Sequence, residues 1–160
     1  MKLSPLQPKG IYFTRVDLTA IPDAESSDVG KINVEADVSC IQPDQSATDW
    51  FVLLKLRIVS LENVKAPYVG LIELCGSFSI NSSWPKEGAR RLAYINGAGI
   101  LYTAAREMVS NITARGFYES LTLPGLSFFD MFKEEEENAA QPSLPLEEEK
   151  PKAPKEPAQP

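Results

Sequence analysis

Hydrophobic and polar positions alternate with a period of two through much of the first half of the chain. From Lys31 to Cys40, Ile32, Val34, Ala36, Val38 and Cys40 fall on one face, and Lys31, Asn33, Glu35, Asp37 and Ser39 on the other. Successive side chains of a strand point to opposite sides of its sheet, so this pattern predicts a half-buried antiparallel strand. Trp50 to Ser60 repeats it, with Trp50, Val52, Leu54, Leu56 and Ile58 forming one wholly apolar face. Gln42 to Asp49 between them is dense in turn formers, so the two strands are expected to pair as a hairpin. Tyr68 to Ile80 gives a further strand with Gly70, Ile72, Leu74, Gly76, Phe78 and Ile80 inward. Glycine inside a strand marks a bulge or the close approach of another backbone, and a helix crossing at Gly76 would fit. Ahead of all three, Gly10 to Leu18 has the aromatic and β-branched content of a strand, closed by Pro22.

After the loop Asn81–Gly88 the period changes from two to that of a helix. A short helical run leads to Tyr94, and Asn96 to Arg115 then forms the long central helix. Asn96 is expected to cap its first turn, and Gly116 to stop it in the left-handed conformation. At about 100° per residue, Ile100, Ala104, Met108, Leu101, Ile112, Ala105, Val109 and Tyr102 cover roughly 200° of the helix. A surface helix needs an apolar stripe only about half as wide. Burial inside one monomer and burial between a sheet and a second subunit both account for the excess.

Past Gly116, Phe117 to Leu126 reads as extended, with a turn at Pro124-Gly125. Ser127 to Glu135 then reads as a short helix capped by Ser127. Strands first and helices second is the α+β pattern: a four-stranded antiparallel sheet covered by a long helix plus a short C-terminal helix. Phe128, Phe129, Met131 and Phe132 wrap most of the short helix, so they cannot all face one core. Some must meet a partner, a client or another subunit. An adaptable surface of aromatic, Met and aliphatic side chains suits the binding of many unrelated peptides. A subunit interface with no client is the simpler account of the same surplus.

Composition divides the chain. From Lys133 it shifts abruptly to Glu, Pro, Lys, Ala and Gln, which sets an ordered domain at residues 1–132 and a tail, expected to be disordered, at 133–160. Pro142-Ser143-Leu144-Pro145 matches a PxxP pattern that so Pro-rich a segment produces readily by chance. The 160 residues suit one domain, and a net charge of −6 with dispersed Lys and Arg argues against nucleic acid as a partner. With no histidine there is no imidazole base or ligand. The isolated Cys40 and Cys75 indicate buried free thiols rather than a zinc site or redox pair. Gly97-Ala98-Gly99 lacks the third glycine of a phosphate loop, and Glu35 and Asp37 lie on a solvent-facing strand surface. No catalytic constellation, cofactor or metal site is indicated, and no stretch is apolar enough for membrane insertion. The expectation is a non-enzymatic protein of a reducing cytoplasm.

The residues resemble the SecB family of protein-export chaperones. Leu101-Tyr-Thr-Ala-Ala-Arg-Glu107, Arg115-Gly116, Leu121-Thr-Leu123 and Phe128 to Phe132 are similar to its helix and C-terminal run. Gly10-Ile-Tyr-Phe-Thr14, Ile32-Asn-Val-Glu-Ala-Asp37, Leu56-Arg-Ile58 and Gly76-Ser-Phe-Ser-Ile80 resemble its four strands in order. The resemblance implies a homotetramer, a dimer of dimers with helices between sheets. It also implies an ATP-independent holdase that keeps unfolded secretory precursors competent and passes them to the SecA motor of the Sec translocase. The matching client-groove positions are Ile32, Val34 and Ala36 with Phe128, Met131 and Phe132, and Phe129 and Leu126 adjacent. The positions nearest the family's SecA-docking acids are Asp17 and Glu73. The family also includes SecB-like chaperones dedicated to an antitoxin, which is the alternative role.

Overall fold

The computed structural model describes residues 3–24, 32–43, 48–62 and 64–140. Four strands, β1 (Leu6–Ala20), β2 (Ile32–Ile41), β3 (Asp49–Ser60) and β4 (Tyr68–Ile80), form one antiparallel sheet in the order β1-β4-β3-β2. The expected hairpin is β2–β3, in the register Ile32↔Ser60 to Ile41↔Phe51. The period-two residues decide the layering. Val52, Leu54, Leu56 and Ile58 of β3 and Ile72, Leu74, Phe78 and Ile80 of β4 are buried, while Phe51, Leu53, Lys55 and Arg57 face outward.

β1 is longer than its sequence pattern indicates because its register is interrupted twice. Register shifts fall between Pro8 and Gly10 and between Phe13 and Arg15. Each inserts one residue and reverses the parity of the strand. Leu6 and Pro8 therefore lie opposite the inward Ile80 and Phe78, Ile11 and Phe13 opposite Gly76 and Leu74, and Val16 and Leu18 opposite Ile72 and Gly70. Pro8 is tolerated because β1 is an edge strand.

One helical path then crosses the inner face. A 3₁₀ turn at Lys86–Gly88 leads into α1 (Ala89–Leu92), a π-helical turn at Ala93–Gly97 and α2 (Ala98–Thr113). Asn96 is not a cap: it sits exposed within the π turn, because the helix already begins upstream. Contact with the sheet is close. A Cβ built on Gly76 would lie 2.8 Å from Leu101 Cδ2, and one on Gly97 2.8 Å from Val52 Cγ2. The helix was expected over Gly76, and it is there. Gly116 has no positive φ; α2 closes at Ala114 with φ −60°. Gly116 is small for another reason, since a Cβ there would run into the Tyr68 hydroxyl. That hydroxyl accepts a bond from the Tyr118 backbone N–H (3.0 Å) and points its proton at the carbonyls of Thr113 and Tyr118. The buried Thr113 hydroxyl in turn donates to Val109 O (2.7 Å) and accepts from Leu121 N–H (2.8 Å). These bonds fold the segment after α2 back along the helix, burying Leu121 and Leu123.

The C-terminal helix α3 (Phe128–Ala140) is longer than expected. Lys133 to Ala140 continue this helix past the point where the composition changes. Glu is a good helix former, so the acidic run prolongs the helix that the aromatic residues anchor. The tail from residue 141 lies outside the described residues.

The two helix glycines should respond oppositely to substitution. Gly97→Val forces a methyl group into Val52 and should cost about 1–3 kcal/mol. Gly99 has nothing within 4 Å of its Cβ direction, so Gly99→Ala should gain up to about 1 kcal/mol from helix propensity. Urea midpoints of the two variants measure both.

Candidate functional site

The folded-back segment seats α3 against the helical path through aromatic pairs. Phe128 is 6% exposed, with its ring edge-on to Tyr102 at 5.6 Å, and Phe132 is 3% exposed and edge-on to Tyr94 at 5.2 Å. The Tyr102 hydroxyl donates to the Pro124 carbonyl. Arg90 lies 5.4 Å over the Phe132 ring and forms a 2.7 Å ion pair with Glu135 Oε1. The other oxygen, Glu135 Oε2, is buried without a hydrogen-bond partner. Ser127 Oγ accepts the Asp130 N–H at 3.4 Å, so the expected cap is present as a long bond. Phe129 is the open residue of the row. At 38% exposed, it is flanked by the cationic groups of Arg91 at 5.1 Å and Lys133 at 4.4 Å.

Ile32, Val34 and Ala36 lie on the inner face of β2, the other edge strand, and are half-buried. Leu126 and Met131 are also half-buried, and all five pack against the common core. Six of the eight positions singled out as a groove therefore keep apolar surface in contact with solvent. The other two, Phe128 and Phe132, are closed in by the chain itself. Sequence reasoning passed over the receiving side, Arg90, Arg91, Tyr94 and Tyr102. The spacing of Tyr94 and Tyr102 was the signal available, since residues eight apart share a helix face.

Near this seat burial suppresses ionisation. Cys40 is half-buried rather than fully enclosed, and its thiol is pushed up to about 11, chiefly by desolvation; nearby Arg90 opposes the rise and Glu135 adds to it. Desolvation raises Tyr94 to about 12, with Glu135 and Asp37 adding to it. Burial raises Tyr102 as well, against the pull of Arg106. None of these groups is set up as a nucleophile or base near neutral pH. Among the described residues no group of three or more His, Cys, Asp or Glu side chains could hold a metal ion.

Two further surfaces are open. On α2, Leu101, Tyr102, Ala105 and Val109 are buried, whereas Ile100, Ala104 and Met108 are half-buried and Ile112 is 39% exposed. One flank of the wide apolar arc is thus covered and the other only partly so. On the outward face of the sheet, Asp17 and Glu73 stand on neighbouring strands, but each has a basic partner. Arg15 Nη2 is 3.3 Å from Asp17 Oδ2 and Lys55 Nζ 3.2 Å from Glu73 Oε1.

This architecture, an antiparallel sheet backed by a long helix and a short aromatic-anchored one, is the fold of SecB-like chaperones. The profile of the family described as preprotein translocase subunit SecB matches residues 16–139, and the chain belongs to the SecB family. A protein-export protein SecB of Rhodospirillum centenum is 25% identical over 114 residues, covering 70% of this chain and 67% of that protein. The fold matches a SecB-like chaperone of Mycobacterium tuberculosis, solved with a peptide from the HigA1 antitoxin. The TM-score is 0.59 and the identity 20%, over 76% of this chain and 91% of that one. SecB proteins are chaperones, so the chain is a chaperone and not an enzyme. Among the described residues no helix is long and apolar enough to cross a membrane.

The raised acidities set a pH window. Cys40 and Tyr94 are held neutral by the fold, above their ordinary values of 9.0 and 10.0. Their stabilising contribution is therefore complete below about pH 9 and is lost as pH rises through 11 to 12. Urea midpoints should fall across that range, and less steeply in Cys40→Ser. Alkylation of Cys40 by iodoacetamide should be slow near neutrality and accelerate towards pH 11.

Proposed function

We propose that the chain is an ATP-independent holdase that captures unfolded secretory precursors in the cytoplasm and delivers them to the Sec translocase. The observation that carries this reading is apolar surface packed on the core but left partly open, Ile32, Val34 and Ala36 on β2, Leu126 before α3 and Met131 on it, with Phe129 of α3 exposed as well. Such a surface binds by burying apolar area, at roughly 25 cal/mol per Å², without requiring a particular sequence. Phe128 and Phe132 serve the same groove by holding α3 in place and join it directly only where α3 lifts. The partly open flank of α2, with Ile100, Ala104, Met108 and Ile112, supports a homotetramer in which equivalent helices cover one another.

A dedicated partner is the second reading. It is favoured by the ion pairing of Asp17 and Glu73, which leaves little free acidic charge for a SecA-like partner, and by the antitoxin peptide on the M. tuberculosis neighbour. Capture of a generic unfolded protein separates the two. Under the holdase reading, a stoichiometric amount of the purified protein suppresses aggregation of a chemically unfolded client, and Val34→Asp with Phe129→Asp weakens this several-fold without loss of circular dichroism. Equal aggregation with and without the chaperone refutes it. The assembly is tested separately: Ile100→Asp with Met108→Asp should lower the solution mass from tetramer to a smaller species, and an unchanged mass would rule out the α2 contact.

A further inference from the structure

Two adjacent arginines of α1 each reach a phenylalanine of α3, and the two arrangements differ in what completes them. Arg90 lies 5.4 Å over Phe132, a ring only 3% exposed, and its guanidinium closes at 2.7 Å on Glu135, about one helical turn beyond that ring. Arg91 lies 5.1 Å over Phe129, which is 38% exposed, and about one turn beyond this ring the chain places Lys133 instead of an acid. The Lys133 ammonium is itself 4.4 Å from the Phe129 centroid. The first arrangement is complete, with ring, cation and carboxylate. The second has a ring and two cations, and among the described residues neither Arg91 nor Lys133 forms an ion pair.

A shortage of acids does not explain the gap. The chain has 22 acidic residues to 16 basic. Asp130, Glu136 and Glu137 stand three or four positions from Lys133 on the same helix, a spacing at which side chains can meet, yet none closes on it. Elsewhere Lys9, Arg15, Lys55 and Arg57 each find a carboxylate. Because both cations stand close to one centroid, they lie no more than about 10 Å apart, a Debye length at about 0.1 M salt, and repel each other across the ring. A carboxylate set between them would relieve that repulsion and gain charge-assisted contacts. The two long side chains are already drawn over the ring, so little further ordering is needed to receive it.

We propose that Arg91 and Lys133 make the open end of the client surface selective for unfolded segments in which a carboxylate adjoins an apolar side chain. The apolar group packs on Phe129, and the Asp or Glu beside it lies between the two cations. This rests on the holdase reading, whose client chemistry it names. A net charge of −6 repels acidic chains at long range, so the preference acts at contact distance.

Isothermal titration calorimetry on the full-length protein, with synthetic peptides that share a core of Leu and Phe and differ only in flanking Glu, Gln or Lys, tests this. The Glu peptide should bind about fivefold more tightly than the Gln peptide, the upper end for one exposed ion pair, and the Lys peptide more weakly than both. The Glu advantage should shrink at about 1 M salt, where the Debye length is about 3 Å. In Arg91→Gln, Lys133→Gln the ratio of Glu to Gln affinities should fall to about one. The ratio is the readout, so a general loss of binding does not imitate the result, and the wild-type ratio decides even where the variant does not fold. Equal wild-type affinities for the Glu and Gln peptides, or tighter binding of the Lys peptide, overturn the inference and leave the holdase reading standing. A ratio unchanged in the double variant also overturns it, by placing the anion elsewhere. Failure of all the peptides to bind overturns both readings together.

Discussion

The close contact of helix and sheet at two glycines is the constraint on which the rest of the structure depends. Gly97 lets the helix rest on Val52, and Gly76 lets Leu101 descend between the strands. With the helix at that depth, one flank of α2 is buried and the opposite one is left partly open. The same depth brings Tyr94 and Tyr102 level with the returning chain, where Phe132 and Phe128 meet them. The π turn at Ala93–Gly97 lies between the seat of α3 and the glycine contact, and thereby joins the two. An extra residue in a helical turn re-aims the side chains that precede it, and here those include Arg90 and Arg91.

Much of this was legible in the sequence, for a physical reason. β2, β3 and β4 are each buried on one face and wet on the other, so the period-two pattern is written in side-chain type and their inward residues follow directly. β1 is legible only between its bulges, because each extra residue reverses the parity on which the reading depends. The helix was legible as an element but not at its ends. Asn96 and Gly116 carry the residue types of caps, yet tertiary contacts gave them other positions: Asn96 lies in a π turn that the chain enters already helical, and Gly116 is small to admit the Tyr68 hydroxyl.

Of the candidate site, composition revealed the apolar surplus but not its division. Four bulky residues within five positions could be seen to exceed one core. Which of them turn inward depends on Tyr94, Tyr102 and Arg90, more than two dozen residues away in sequence, and no local pattern encodes that choice. The outcome supports a division of labour in the proposed groove. Phe128 and Phe132 hold the helix, while Phe129, Met131 and the β2 residues present the surface. Glu135 adds a polar tie through one oxygen, while the other has no hydrogen-bond partner, which offsets part of what the tie contributes.

The ion pairs on the outward sheet face have a kinetic meaning. Lys9 with Asp49, Arg15 with Asp17, Lys55 with Glu73 and Arg57 with Glu35 each cancel at short range. Beyond a Debye length of about 8 Å their combined field is small at physiological salt. These four pairs therefore do little to draw a molecule in from a distance, and encounters that rely on them proceed at the unsteered rate of about 10⁵–10⁶ M⁻¹ s⁻¹ with little dependence on ionic strength. Selectivity on this face then resides in how long a visitor stays rather than in how often one arrives.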